Sequence, residues 1–153
     1  LRGENKYFCT NCNTHVEARR HYRFAALPDI LVVHLKRFSY HITQRKICSP
    51  ITPPTTLCLR DGQQDQLFGA EIVVLFCSTD YVLALNGMVF HSGFYNSSGH
   101  YSAYLNHHDE WLCFDDSIVS AVRTDRLFEL CSPLSESSNT AYLFFYVANE
   151  GDV

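Results

Sequence analysis

The chain has no basic run: its twelve Lys and Arg are scattered among sixteen Asp and Glu, for a net charge of −4. With nothing gathered to neutralise a phosphate backbone, a direct nucleic-acid partner is not expected. Long apolar runs are missing too. The longest, Ala141 to Ala148, falls far short of the ~20 residues a membrane-spanning helix needs. No secretory leader pattern opens the chain, and no internal repeat divides it. The seven cysteines are odd in number and too dispersed for a small disulfide scaffold. They point to a reducing compartment, cytoplasm or nucleus, where the sequon at Asn96-Ser-Ser98 is a chance match.

What is present is apolar and aromatic. At 153 residues and 46% hydrophobic, the chain can bury a core, and its length favours one domain. Eleven Phe and nine Tyr fall in alternating runs, so a sheet-dominated fold is expected. The chain begins at Leu1 inside an apparently structured segment and is read as a fragment.

Taken in order, Cys9-Thr-Asn-Cys12 is a CxxC knuckle, which points two sulfurs at one ion and makes half of a tetrahedral zinc site. No second CxxC follows. Cys48 and Cys58 are spaced unlike ligands; His15 and His21 are candidate ligands but read better as exposed polar residues. Either the partner cysteines lie upstream of Leu1, or Cys9 and Cys12 are two unpaired thiols on a hairpin. Pro28 starts a turn. Ile30 to Phe38 then begins apolar on both faces, as a central strand does, with His34 a satisfied core histidine. Residues 39–66 read as loop with one edge strand around Thr56 to Arg60. Leu67 to Cys77 fits either a strand or a buried helical turn.

Tyr81 to His91 reads as a strand, with Gly87 marking a bulge or close backbone approach. It runs into a Gly/Ser/Asn loop, a second strand from His100, a polar turn at Asn106–Asp109 and a third strand ending at Asp115-Asp116. If the turn sets Leu105 opposite Glu110, His100 falls opposite Asp115. The same register pairs Tyr101 with Phe114, Tyr104 with Trp111, and Ser102 with Cys113. An imidazole beside a carboxylate is the base and orienter of a nucleophilic triad, or else an ordinary cross-strand polar pair. The alternating residues His107 to Glu110 read as a solvated turn rather than a metal site. Ser117 to Val122 is a short strand. Thr124 to Leu130 is a helix with Thr124 as N-cap and Leu127 and Leu130 inward. Ser132 to Asn139 is a linker, and Thr140 to Val147 is an interior strand.

Five blocks stand in a fixed order: Glu4 to Cys12, Leu27 to Phe38, His91-Ser-Gly through Gly99-His-Tyr101, Trp111 to Asp116, and Thr140 to Tyr146. Together they resemble the C-terminal half of the catalytic domain of the ubiquitin-specific proteases, over nearly the whole chain. The resemblance implies an α+β fold: a papain-like palm with an antiparallel sheet over about 27–147, and part of the zinc-bearing fingers over about 1–26. The N-terminal thumb would be absent. It further implies a thiol hydrolase that cleaves ubiquitin from lysine side chains or from other ubiquitins. His100 would be the general base, Asp115 its orienter and Asp116 a supporting group, with Ser92, Gly93, Gly99 and Tyr101 lining the path of the ubiquitin tail. Cys9 and Cys12 would be the second of two zinc knuckles. Ubiquitin and ubiquitinated proteins are the implied partners. Glu4 to Glu17 and the Ser97 to Tyr101 loop resemble a nuclear member activated by a WD-repeat protein, which adds a WD-repeat activator.

One family element is missing. The Gly-Asn-Thr-Cys box that carries the nucleophile appears nowhere in the sequence. The chain alone is therefore expected to be inactive. A non-catalytic ubiquitin-binding module and a zinc-stabilised structural domain are the alternatives.

Overall fold

Alternating β-branched and aromatic residues favour pleated, half-buried strands, and strands dominate the computed structural model. It describes residues 1–18, 23–24, 28–39, 45–59, 64–67, 70–74, 81–95, 98–132 and 138–148. After a 3-10 turn at Gly3–Asn5 come β1 (Tyr7–Cys9), β2 (Thr14–Val16), β3 (Arg23–Phe24), β4 (Ile30–His34), β5 (Phe38–Ser39) and β6 (Arg45–Lys46). Then follow β7 (Thr56–Leu59), β8 (Gln64–Leu67), β9 (Ala70–Val74), β10 (Tyr81–Tyr95), β11 (Ser98–His107) and β12 (Glu110–Asp115). The last elements are β13 (Ile118–Val122), the helix α1 (Thr124–Cys131) and β14 (Asn139–Ala148).

The main sheet is antiparallel, in the order β13-β12-β11-β10-β14-β4, with β7 paired to the start of β10. β1–β2 is a separate hairpin, β5–β6 a two-residue ladder, and β3, β9 and β8 form a small third sheet. Direct cross-strand partners share a face of a sheet. One row, Val33–Phe144–Met88–Tyr104–Cys113–Ser120, therefore belongs to a single face. Helix α1 lies on that face: its Leu127 and Cys131 are buried, and Cys131 Sγ sits 3.7 Å from Met88 Sδ. Phe90, Phe144 and Tyr146 complete this core, each contributing about 1.5–3 kcal/mol by burial. The opposite face carries Val32–Phe145–Gly87–Leu105–Leu112–Ala121.

Several expectations need correction. The β11–β12 turn is two residues, His108-Asp109, so His107 faces Glu110, and Leu105 faces Leu112. Both turn residues have positive φ, 49° and 65°, the backbone of a type I′ hairpin turn. The register is thus two residues from the expected one. Tyr104 pairs with Cys113 and Asn106 with Trp111, so the proposed Tyr101–Phe114, Tyr104–Trp111 and Ser102–Cys113 pairs do not form. β4 is an edge strand of the described sheet, with Ile30 55% and Val32 49% exposed. His34 is exposed, its ring 4.7 Å edge-on from Tyr142, and is no core residue. The supposed loop over 39–66 contains β6 and β8 besides the expected edge strand at β7.

Other expectations stand. β14 is interior, between β10 and β4. Gly87 lies at a bulge in the β10–β14 ladder, where a Cβ would come within 3.1 Å of Leu105. β9 settles residues 70–74 as strand, whereas 75–77 and most of the serine-rich linker lie outside the described residues. The helix is present, but Arg123 rather than Thr124 is its N-cap, without a capping side-chain bond. Asp125 fills the role instead, accepting from the Arg126 backbone N–H at 2.8 Å and pairing with Arg123. A carboxylate in the first turn suits the positive end of the helix.

Candidate active site

The site begins with two strand ends. β11 presents His100 near its start, and β12 ends at Asp115. With the register offset by two, these residues are diagonal neighbours rather than direct partners. A slip of two leaves each side chain on its original face, and a diagonal gap is within reach of long side chains. His100 Nε2 donates to Asp115 Oδ1 in a short hydrogen bond. Asp116 turns back toward the pair through a left-handed backbone (φ 51°), which Asp tolerates better than most residues. One ligand atom from each of His100, Asp115 and Asp116 lies within 4.8 Å of the others.

The electrostatics follow from that arrangement. The Asp115 hydrogen bond, then its charge, then the Asp116 charge hold the His100 imidazole above its ordinary pKa of 6.5. With Nε2 committed to Asp115, Nδ1 is the nitrogen left to exchange a proton with a nucleophile. This is the base-plus-orienter geometry of a triad. Cys113 does not supply its third member: its thiol lies beside the Tyr104 hydroxyl on the core face.

Of the residues assigned to a substrate tail, Ser92 sits directly opposite His100 on the neighbouring strand. Tyr101 is half exposed, its ring 4.8 Å from that of His91. Gly93 (φ +132°) and Gly99 line the same narrow region, and its gap is already occupied. A Cβ on Gly99 would collide with the His91 imidazole and lie 2.5 Å from the Ser92 carbonyl oxygen. His91 was not singled out by the sequence, because its contact is with the absent side chains of Gly93 and Gly99. Lys46 was missed as well; its Nζ donates to the backbone carbonyls of His91 and Ser138, both at 2.5 Å. Buried Arg37 likewise donates to Ala141 O (2.9 Å), Ile47 O (3.0 Å) and Ser49 O (2.6 Å), lashing the β5–β6 segment to β14. Lys46 in a polar stretch, and Arg37 near the end of an apolar one, gave no sign of these long-range bonds.

Far along the chain from His100, Cys9 ends β1 and Cys12 lies in the β1–β2 turn, where Asn13 adopts φ 52°. Backbone N–H groups of Cys12 and Asn11, then the Cys12 thiol, hold the Cys9 thiol below its ordinary value. A sulfur surrounded by backbone donors is prepared to act as a thiolate ligand. His15 faces Phe8 across the hairpin, one position along from Cys9–Thr14, so it points to the other face. Among the described residues no third metal-binding side chain joins the two cysteines. The donors fit half of a zinc site.

Three comparisons bear on this geometry. The sequence model of the ubiquitin carboxyl-terminal hydrolase family matches residues 1–146. A ubiquitin carboxyl-terminal hydrolase 12 from Salmo salar is 33% identical over 156 residues, covering 98% of this chain and 39% of the relative. Among solved structures, the SAGA Ubp8/Sgf11/Sus1/Sgf73 DUB module bound to ubiquitin aldehyde matches with a TM-score of 0.67 and 27% identity, over 97% of this chain and 30% of that one. A form of that module bound to monoubiquitin matches with a TM-score of 0.66 and 28% identity, over 96% and 29%. The chain thus spans well under half the length of these relatives.

Proposed function

This chain belongs to the ubiquitin carboxyl-terminal hydrolase family, and we propose that it supplies the base and its orienter to a thiol hydrolase acting at the C-terminal carbonyl of ubiquitin. The carrying observation is the His100–Asp115 hydrogen bond, with Asp116 beside it. The nucleophile belongs to a Gly-Asn-Thr-Cys segment that this sequence does not contain.

In that reaction the cysteine thiol gives its proton to His100 Nδ1, and Asp115 stabilises the resulting imidazolium. The thiolate attacks the carbonyl carbon of ubiquitin's terminal glycine. The imidazolium then protonates the departing lysine amine as the carbon–nitrogen bond breaks, leaving a thioester. Water, deprotonated by His100, hydrolyses the thioester and restores the thiol. The raised pKa of His100 favours the thiolate–imidazolium pair. Ser92 and Tyr101 are positioned beside His100, where an extended tail would pass; Gly93 and Gly99 belong to the same backbone path, with the space over them filled by His91. At the β1–β2 hairpin, Cys9 and Cys12 would hold a zinc ion with two further ligands, and the ion would cross-link the fingers. Ubiquitin and its conjugates are the partners on this reading; the solved modules bound to ubiquitin species support it.

A non-catalytic ubiquitin-binding role is the second reading, supported by the likeness to a module bound to monoubiquitin. One experiment separates the two. The chain is joined to an upstream segment bearing the cysteine box and treated with a ubiquitin C-terminal electrophile. The joined protein should label, and its His100→Ala variant should lose labelling; the chain alone should not label. Undiminished labelling of His100→Ala would remove His100 from the mechanism. A joined protein that binds ubiquitin without reacting would favour the binding module.

A further inference from the structure

His91 has no part in the chemistry above, yet it is packed more tightly than any group that does. It lies on β10, one position from Ser92, the direct partner of His100. Only 1% of its surface is exposed. The ring is enclosed by Phe38 (centroids 5.4 Å), Tyr101 (4.8 Å) and Tyr142 (6.4 Å). Its remaining side is the backbone of Gly93, near the end of β10, and of Gly99, at the start of β11. A Cβ on Gly93 would lie 3.4 Å from His91 Cε1, and one on Gly99 would meet both Cε1 (2.7 Å) and Nε2. The two glycines therefore form a shallow seat, and the imidazole fills it.

The backbone around this seat is also tied down. Lys46 Nζ holds the His91 and Ser138 carbonyls, and the Gly93 N–H donates to Ser138 O at 3.3 Å. Gly99 is bonded to His100, so any shift of the strand at Gly99 swings the imidazole relative to Asp115. A buried side chain in van der Waals contact on all sides transmits strain instead of absorbing it.

We infer that His91 is a positioning residue for the general base: its ring, seated on Gly93 and Gly99, fixes the backbone from which His100 reaches Asp115. The contribution is one of shape. Burial, and secondarily the Lys46 charge, hold the imidazole below its ordinary pKa, so it occupies the seat as a neutral ring. Lys46 is the charged group facing it, with Tyr101 and Tyr142 the other titratable neighbours.

The inference rests on His100 being the base, but its first test requires neither ubiquitin nor a nucleophile. NMR titration of the His100 imidazole in this chain, assigned by its loss in His100→Ala, should give a pKa above 6.5. In His91→Ala, which empties the seat, the titration should fall back toward 6.5. In His91→Phe, which refills it with an uncharged ring, most of the elevation should return. A full elevation in His91→Ala, or none in a folded His91→Phe, overturns the inference. If His91→Ala does not fold, Gly99→Ala substitutes for it: the added methyl drives against the ring and should also lower the His100 titration, and an unchanged value is again decisive against. In the joined, reactive protein, His91→Ala should cut kcat on the order of tenfold to a hundredfold, as small misplacements of catalytic groups do, with KM for a ubiquitin substrate little changed. A raised KM with unchanged kcat would make His91 a substrate contact instead. Failure of the joined protein to label would refute the proposed reaction and leave the titration result standing.

Discussion

His100 and Asp115 are each about half exposed, so their bond matters more for protonation than for stability. Because the folded pKa of His100 lies above 6.5, the native chain retains a proton that the unfolded chain gives up sooner. Whatever stability this adds is complete below pH 6.5 and disappears as pH rises through the folded value. Asp115→Asn removes the carboxylate charge and leaves only a neutral acceptor for the imidazole. Its His100 titration, followed by NMR, should drop toward 6.5, leaving the smaller Asp116 effect. A titration that stays fully raised would mean that Asp116, not Asp115, controls the imidazole. This pair was legible in the sequence even though its register was not. The error in loop length was two residues, and a period-two structure tolerates an even slip: both side chains stayed on one face and met diagonally. An error of one would have separated them. His91 stayed illegible for the opposite reason, since its role depends on what Gly93 and Gly99 lack.

At the level of elements, the β11–β12 hairpin shows where local strain sits. His108 and Asp109 both hold left-handed backbone, which favours Asn-Gly over the residues present. The Asn106 side chain offsets some of this by accepting from the Asp109 N–H at 3.2 Å. Replacing the pair by His108→Asn with Asp109→Gly preserves that backbone donor and removes most of the conformational penalty. A gain of about 0.5–1.5 kcal/mol is expected, seen as a rise in Tm of about 2–5 °C by calorimetry. No rise would show that the turn is not strained. The His100 titration should not move, because the substituted turn is at the other end of β11. The turn type was invisible in the sequence because His-Asp lacks the glycine that normally announces it. β14 and α1 were easy to read, as an apolar run and an amphipathic segment behind a polar start. The α1 cap was misplaced by one residue because Thr124 looks like an N-cap, whereas Asp125 meets the first-turn N–H.

The misreading of β4 concerns the whole molecule. Residues apolar on both sides of a strand normally indicate a buried interior strand, yet Ile30 and Val32 are half exposed at the sheet's edge. They are not isolated. Val32 begins the row that continues through Phe145, Gly87, Leu105, Leu112 and Ala121 across six strands. Leu105 is 46% exposed, and Val119, opposite Phe114 on the same face, is 56% exposed. Helix α1 covers only the other face. The sequence pattern was thus a correct report of an apolar surface and a poor report of its burial, since patterning records what a face is made of and not what lies over it. The row is unevenly exposed, with Val32 and Leu105 open, Phe145 and Leu112 partly covered and Gly87 buried, but this much apolar surface open on one face is unusual for a chain that acts alone. The isolated chain should accordingly bind an apolar reporter dye such as ANS at neutral pH while keeping native near-UV circular dichroism from Trp111 and the core tyrosines. Val32→Thr combined with Leu105→Gln should reduce the dye signal by roughly half or more if this face is the patch that binds it, with the dichroism unchanged. Dye binding accompanied by loss of near-UV signal would indicate a loosened core instead. An unaltered dye signal in the double variant would place the exposed apolar surface elsewhere.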